Sequence, residues 1–358
     1  MKRVLCIIES ISQGGAERQL IGLSTMLAKE GNQVKLITYN DDMFYLPLLE
    51  GSGVDFEYLE KASNKLWRIP VVLKAIKKYE PDIVIAFLGT PSIIACIAKL
   101  VIGHFRLIVS ERNTTQKISF SDRIRFFLYR YADRIVPNSY SQKEFISEHY
   151  PKLEEKTITI TNFSDTEYFC PKKEMGETDN RSIKMISVAR ICEQKNVKRF
   201  IEAFKKVVDS GTMIQLDWYG LAFHPYAEEC IEMIKDNHLE DRFRFHKETN
   251  DVKSVYQHSD VFVLPSINEG FPNVICEAMC CGLPVLCSNV CDNSRIVRDG
   301  ENGILFDPLS VDGMAATIIR FSRLSHEERE MMGKKSRDFA INDFSAKSFF
   351  AKYKQLIY

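Results

Sequence analysis

Short apolar runs alternate with longer stretches of helical period along nearly the whole chain. KRVLCIIE reads as a buried strand, AERQLIGLSTMLAKEG as a helix closed by Gly31, and QVKLITY as the next strand. PDIVIAFLG and RLIVSER repeat the style, each after a helical stretch. Strands separated by helices make βαβ units, so a parallel sheet is expected. The pattern lapses at residues 150–182, where a short strand is followed by a polar segment containing Pro and Gly. A domain boundary is expected there, near residue 170. The alternation then restarts with IKMISVAR, a helix through VKRFIEAFKKVVDSG, and the runs MIQLDWYG, RFRFHK, DVFVLPS, LPVLCS and GILF. The last stretch of the chain reads as helices. The fold class is therefore α/β, as two doubly wound Rossmann-like halves. Ligands of such sheets sit beyond the carboxyl ends of the strands, and the cleft between the halves is the expected site.

A chain of 358 residues is long enough for two such domains. Formal net charge is zero, which argues against a nucleic-acid partner held by overall charge. The balance is uneven: residues 1–160 carry 22 Lys/Arg against 18 Asp/Glu, and the remainder 26 against 30. MKRVLCIIES has no secretory apolar core, so a cytoplasmic protein with reduced thiols is expected. Cys276, Cys280, Cys281, Cys287 and Cys291 crowd together without a CxxC pair or a histidine, which suits small core residues and not zinc. Residues 83–103 carry one charge, Lys99, over about a membrane-spanning length. Gly89-Thr90-Pro91 interrupts them, so a strand, a turn and a helix capped by Thr90 are expected instead.

Three segments carry chemistry. In ESISQGGAERQL, Gly14-Gly15 follows a strand and opens a helix, where a backbone can approach an anion closely. It is not GxGxxG, and the second strand ends on Tyr39-Asn40 without the acid of a dinucleotide site. A glycine turn without a ligand is the alternative. In SVARICEQKNVKRF, Arg190 and Lys195 lie in a strand-to-helix loop, with Asn196 placed as a cap. A guanidinium fork and an ammonium suit a diphosphate, and a solvated basic loop is the alternative. In INEGFPNVICEAMCCG, Glu269 stands in the loop at a helix mouth and Glu277 in that helix's first turns. Such carboxylates accept from sugar hydroxyls; a dipole-favoured helix acid would look the same.

Together these segments resemble a family 4 glycosyltransferase of the GT-B fold, in its capsule and lipopolysaccharide branch. The resemblance rests on Gly14 to Arg18, on Arg190 to Asn196, and on the Glu-x7-Glu stretch from Glu269 to Val285. DGENGILFDP and ITNFSDTEYFCP also fit. It covers nearly the whole chain and implies a retaining transferase using a nucleotide-sugar, with UDP as the leading choice and no essential metal or cofactor. Residues 1–170 would be the acceptor side, with a final helix near 345–358 packing back on it. Residues 171–344 would bind the donor. Arg190 and Lys195 would hold the diphosphate and Glu277 the ribose. Glu269 with the loop of Gly270, Phe271 and Asn273 would hold the sugar, and Gly14 and Gly15 would approach the phosphates. A sugar-nucleotide epimerase on the same fold is the rival of another class.

One departure stands out. Many relatives have a histidine after a first-domain strand, where this chain has Glu111 and Arg112 in LIVSERNTT. Either contact with sugar or acceptor or a buried salt bridge would account for them. In SDRIRFFLYRYADRIV, Ile124, Phe127, Leu128, Tyr131 and Ile135 have helical core spacing, while Arg123, Arg130 and Arg134 share another face. Trp67 lies in a second basic, apolar segment. A core helix with a solvated basic face is the plain reading of these residues; contact with an anionic membrane or a polyprenyl-diphosphate-linked glycan acceptor is the sharper one. An acceptor in solution is the close rival.

Overall fold

A computed structural model describes residues 1–115, 118–172 and 182–358. The chain forms two compact units, Met1–Asn162 with Lys347–Tyr358, and Phe163–Ala346. The crossing falls earlier than residue 170, because Ser164 N donates to Phe344 O and Phe169 lies in the second unit's core. Residues 173–181, within the stretch read as the boundary, lie outside the described residues.

The first unit runs β1 (Arg3–Ile7), α1 (Gly15–Lys29), β2 (Gln33–Thr38), β3 (Val54–Tyr58), α2 (Lys65–Tyr79), β4 (Ile83–Phe87) and α3 (Gly89–Ile102). It continues with β5 (Arg106–Glu111), α4 (Phe120–Leu128), β6 (Arg134–Pro137) and α5 (Tyr140–His149). Its six strands are parallel in the order β3-β2-β1-β4-β5-β6. Every residue of β4 is buried, as expected of a central strand covered on both faces. The turn after it differs from the sequence reading. Leu88, with φ 73°, is the residue before the helix, and Thr90 and Pro91 already lie inside α3. No helix among the described residues is long and apolar enough to cross a membrane.

The second unit runs β7 (Ile183–Val188), α6 (Val197–Asp209), β8 (Ile214–Tyr219), α7 (Tyr226–Asp236), β9 (Phe243–His246), α8 (Val252–Gln257) and β10 (Val261–Leu264). It continues with α9 (Asn273–Cys280), β11 (Val285–Ser288), α10 (Asn293–Ile296), β12 (Gly303–Phe306), α11 (Val311–Ser322) and α12 (His326–Phe344). The order β12-β11-β10-β7-β8-β9 is the same winding read from the other edge. One face carries a core around Trp218, Phe200, Phe204 and Phe243; the other is built on Phe262, Ile275, Met279 and Phe344. Four of the five clustered cysteines are buried here, but Cys291 is exposed at φ 49°. The final helix, α13 (Ala346–Ile357), belongs almost entirely to the first unit. Lys354 pairs with Glu30 at 2.6 Å, and Asn32 Nδ2 donates to Tyr358 Oη at 2.7 Å.

Candidate active site

In the second unit, two strand-to-helix loops converge. The loop after β7 passes through Arg190 to a short 3₁₀ turn at Glu193–Lys195. The loop after β10 carries Glu269 and Gly270 to the start of α9. Backbone and side chain bind the two together: Ile267 N donates to Gln194 O at 2.9 Å, and Gln194 Nε2 to Asn268 O at 3.0 Å. This alignment brings Lys195 Nζ to 2.5 Å from Glu269 Oε1. Both side chains are about nine-tenths buried, with 11% and 9% exposed. The sequence reading had assigned these residues separate partners; the structure makes them each other's. A desolvated ion pair of this kind gains little net stability, but removing one member leaves a costly unpaired charge.

Arg190 is exposed, with Nη2 at 3.5 Å from Gln194 Oε1 and its guanidinium 5.6 Å over the Phe223 ring. Its donors therefore remain accessible to an anion, whereas the ammonium of Lys195 is held in reserve by a carboxylate. Asn196 does precede α6, but in the left-handed region (φ 58°), and its side chain makes no cap. Nδ2 donates instead to Pro308 O at 2.7 Å, tying this loop to the one after β12. Glu277 lies on α9 and is buried, 7% exposed. Phe271 packs edge-on against Phe344, 5.6 Å between ring centroids, which fixes the loop between Gly270 and Asn273. Ser266 Oγ is wholly buried beside this loop and has no hydrogen-bond partner among the described residues. Gln194 is the contributor that sequence reasoning missed; a neutral residue between two cations carries no signal of its own.

Gly14 and Gly15 belong to the first unit. Gly14 precedes α1 with extended backbone and Gly15 is its first residue. The glycine has a local reason: a Cβ at Gly14 would fall on the Glu17 carboxylate, 2.7 Å from its Cδ. Burial pushes the Glu17 carboxyl up, against its own backbone N–H and the Ser12 hydroxyl, with Glu9 and Asp42 adding repulsion.

Glu111 and Arg112, at the end of β5, are engaged inside the first unit. The Glu111 carboxylate accepts from the Tyr129 hydroxyl and lies 3.3 Å from Arg125 Nε. Burial raises its pKa, offset in part by Arg125 and Tyr129. Arg112 donates to Asn162 Oδ1 and to Tyr353 Oη, both at 2.8 Å, and stacks 3.9 Å over Phe87. Both residues are buried and engaged within the unit, Glu111 in a salt bridge of the kind given as the alternative.

The basic helix also changes. α4 stops at Leu128, a 3₁₀ turn follows, and Arg134 and Ile135 lie on β6. Arg134 is thus not on a shared helix face with Arg123 and Arg130; its Nη1 donates to Asp133 O. Phe126 and Tyr129 point inward, while Ile124 and Phe127, spaced as core, are exposed. Arg123 and Arg130 are exposed beside them, and Arg130 stacks 3.6 Å over Phe127. Trp67 is exposed on α2.

Two family models match the chain: "Glycosyltransferase Family 4" over residues 13–168 and "Glycosyl transferases group 1" over residues 172–339. A putative colanic acid biosynthesis glycosyltransferase, WcaL of Salmonella typhimurium, is 30% identical over 46% of this chain but only 42% of its own length. A Campylobacter jejuni N-acetylgalactosamine-N,N'-diacetylbacillosaminyl-diphospho-undecaprenol 4-alpha-N-acetylgalactosaminyltransferase is 26% identical over 86% of each chain. Among solved structures, Anabaena Alr3699/HepE in complex with UDP and glucose superposes with a TM-score of 0.82 at 20% identity, covering 100% of this chain and 99% of that one. With both halves matched by their models and the paired six-stranded sheets in place, the chain belongs to the family 4, group 1 glycosyltransferases and has the GT-B fold.

Proposed function

We propose that the chain transfers a sugar with retention, from a UDP-sugar to a glycan acceptor carried on a polyprenyl diphosphate, without a metal. The observation that carries the transfer reading is the buried Lys195–Glu269 pair on the loops after β7 and β10, with Arg190 and Glu277 on the same two βα units. A departing nucleoside diphosphate gains charge, and preorganised cations stabilise it. Arg190 offers an exposed fork. Lys195 exchanges its carboxylate for a phosphate oxygen, which releases Glu269 to accept from a sugar hydroxyl. Glu277 is assigned the ribose, the loop from Gly270 to Asn273 the sugar, and the glycines at Gly14 and Gly15 the phosphates. The base assignment is supported by a structural neighbour that holds UDP. The lipid-linked acceptor is supported by the Campylobacter relative, whose name specifies a diphospho-undecaprenol substrate.

A second support for a membrane-borne acceptor is the outer surface of the first unit. Leu66 is 86% exposed, Trp67 62%, Phe120 79% and Phe127 52%. Lys65, Lys74, Lys77 and Lys78 accompany the first two on α2; Arg123 on α4 and Arg130 on the 3₁₀ turn after it accompany the others. Apolar side chains flanked by cations suit an anionic bilayer surface, on the cytoplasmic face in this reading. The test is a transfer screen across UDP-, GDP- and ADP-sugars, with polyprenyl-diphosphate-linked and free glycan acceptors as separate arms. Transfer from UDP-sugar to the lipid-linked acceptor, with the anomeric configuration kept and EDTA without effect, is the expected result. Activity abolished by EDTA would refute metal independence; transfer to free acceptors alone would refute the lipid-linked reading.

A further inference from the structure

Glu17 has no part in the site as assigned so far, yet its carboxylate lies where an anion would sit. α1 begins at Gly15, and Gly14 before it supplies no side-chain cap. The first amides of a helix lack intrahelical acceptors and carry partial positive charge. Glu17, two residues into the helix, turns back toward its own start. Its carboxylate fills the space that a side chain at Gly14 would take, accepts from its own backbone N–H, and lies 3.4 Å from Ser12 Oγ. The residue is 9% exposed. Gly14 thus leaves room for a protein carboxylate, in the position where glycine was expected to admit a ligand.

We propose that Glu17 is a built-in competitor for the amino end of α1: the donor diphosphate binds there only in exchange for the Glu17 carboxylate. The inference rests on the assignment of Gly14 and Gly15 to the diphosphate. It makes Glu17 a residue that sets donor affinity without touching the sugar. Its surroundings disfavour a charge on Glu17. Glu9 at the end of β1 and Asp42 after β2 both raise the cost of that charge, and the same carboxylates would repel a diphosphate. Glu9 is in turn held by the Tyr39 hydroxyl at 3.4 Å, and Arg68 of α2 lies 4.5 Å over the Tyr39 ring. Arg18 follows Glu17 on α1, and Ser10 and Ser12 complete the loop. A protonated Glu17 competes less, so the part of donor affinity governed by this residue grows as pH falls through its raised pKa.

The experiment is isothermal calorimetry with UDP on the full chain and on Glu17→Gln, from mildly acid to mildly alkaline pH, with steady-state KM and kcat at the same points. The expected result is UDP binding tighter by about two- to tenfold in Glu17→Gln at alkaline pH, the range a charge at a helix end commands. The difference should shrink toward acid pH, and KM should fall while kcat is little changed. Subtracting the two pH profiles removes the titration of UDP itself. Equal or weaker binding by Glu17→Gln over the whole range would overturn the proposal, while UDP binding by the wild type would still support the donor site. Absence of binding by the wild type to UDP, GDP and ADP alike would instead bring down the donor reading and this inference with it. Where Glu17→Gln fails to fold, Ser12→Ala, which removes the hydroxyl facing the carboxylate, should tighten binding in the same direction; unchanged or weaker binding would overturn the proposal.

Discussion

The two units wind six parallel strands in the same order, and each places oppositely charged residues at the carboxyl end of its sheet. Their fates differ. In the first unit, the Arg112 guanidinium is taken up by Asn162, Tyr353 and the Phe87 ring, and Glu111 by Tyr129 and Arg125. In the second, Lys195 has Glu269 as its hydrogen-bond partner among the described residues, beside an exposed Arg190 and a half-exposed Gly270. An ammonium has three donors, so Lys195 retains capacity for a ligand beyond Glu269, while the Arg112 bonds to Asn162 and Tyr353 are made inside the unit and its Nε is wholly buried without a partner among the described residues. A charge at a strand end is therefore a weak pointer to chemistry. What separates a site from a fastening is whether the protein itself already supplies the charge's partners.

If that distinction holds, the largest effect belongs to the second unit. Lys195→Ala should reduce transfer by about 10²- to 10³-fold, comparable to the loss of an oxyanion donor. It also strands Glu269, so a thermal melt must accompany the kinetics; near-normal turnover in a folded variant would remove Lys195 from the diphosphate. Arg112→Gln should act the other way round. It should destabilise the protein by about 2 kcal/mol, since buried hydrogen bonds to Asn162 and Tyr353 and the stack on Phe87 are lost, while UDP affinity per folded molecule stays unchanged. A selective loss of donor or acceptor binding at full stability would return Arg112 to the site. Glu277→Gln comes next, with KM for the donor raised by the equivalent of about 1–2 kcal/mol and little change in fold, as expected when one charged acceptor of a ribose hydroxyl is weakened. Deoxyribose donors should be insensitive to the substitution, and equal sensitivity would place Glu277 elsewhere.

The smallest effect concerns pH. The folded-state pKa of Glu111 lies above its unfolded value, chiefly through burial. The folded protein therefore binds this proton more tightly than the unfolded chain. The associated stability is present below the unfolded pKa and lost as pH rises through the folded one. Urea melts from acid to neutral pH should show that decline in the wild type and a shallower one in Glu111→Gln; parallel slopes would mean that the carboxylate is charged in both states.

Much of the fold was written in the order of residues. Buried parallel strands leave unbroken apolar runs, and amphipathic helices leave a three-to-four-residue period, so the double βα alternation could be followed from Val4 to Phe306. The loops carrying Arg190, Lys195 and Glu269, and the helix α9 carrying Glu277, were equally legible, because each belongs to a strand-loop-helix unit. Phase was harder. Reading α4 through residue 136 assigned Ile124 and Phe127 to the core; the helix ends at Leu128, and the tighter 3₁₀ turn after it changes which residues face inward. Local sequence fixes periodicity and the chemistry of each loop, because those depend on near neighbours. The partners of a buried charge depend on which distant segments the folded chain brings up to it: Asn162 is 50 residues from Arg112 and Tyr353 is 241, and no spacing rule reaches that far. Lys195 and Glu269, 74 residues apart, became a pair for the same reason, since adjacent parallel strands deliver their following loops to the same end of one sheet.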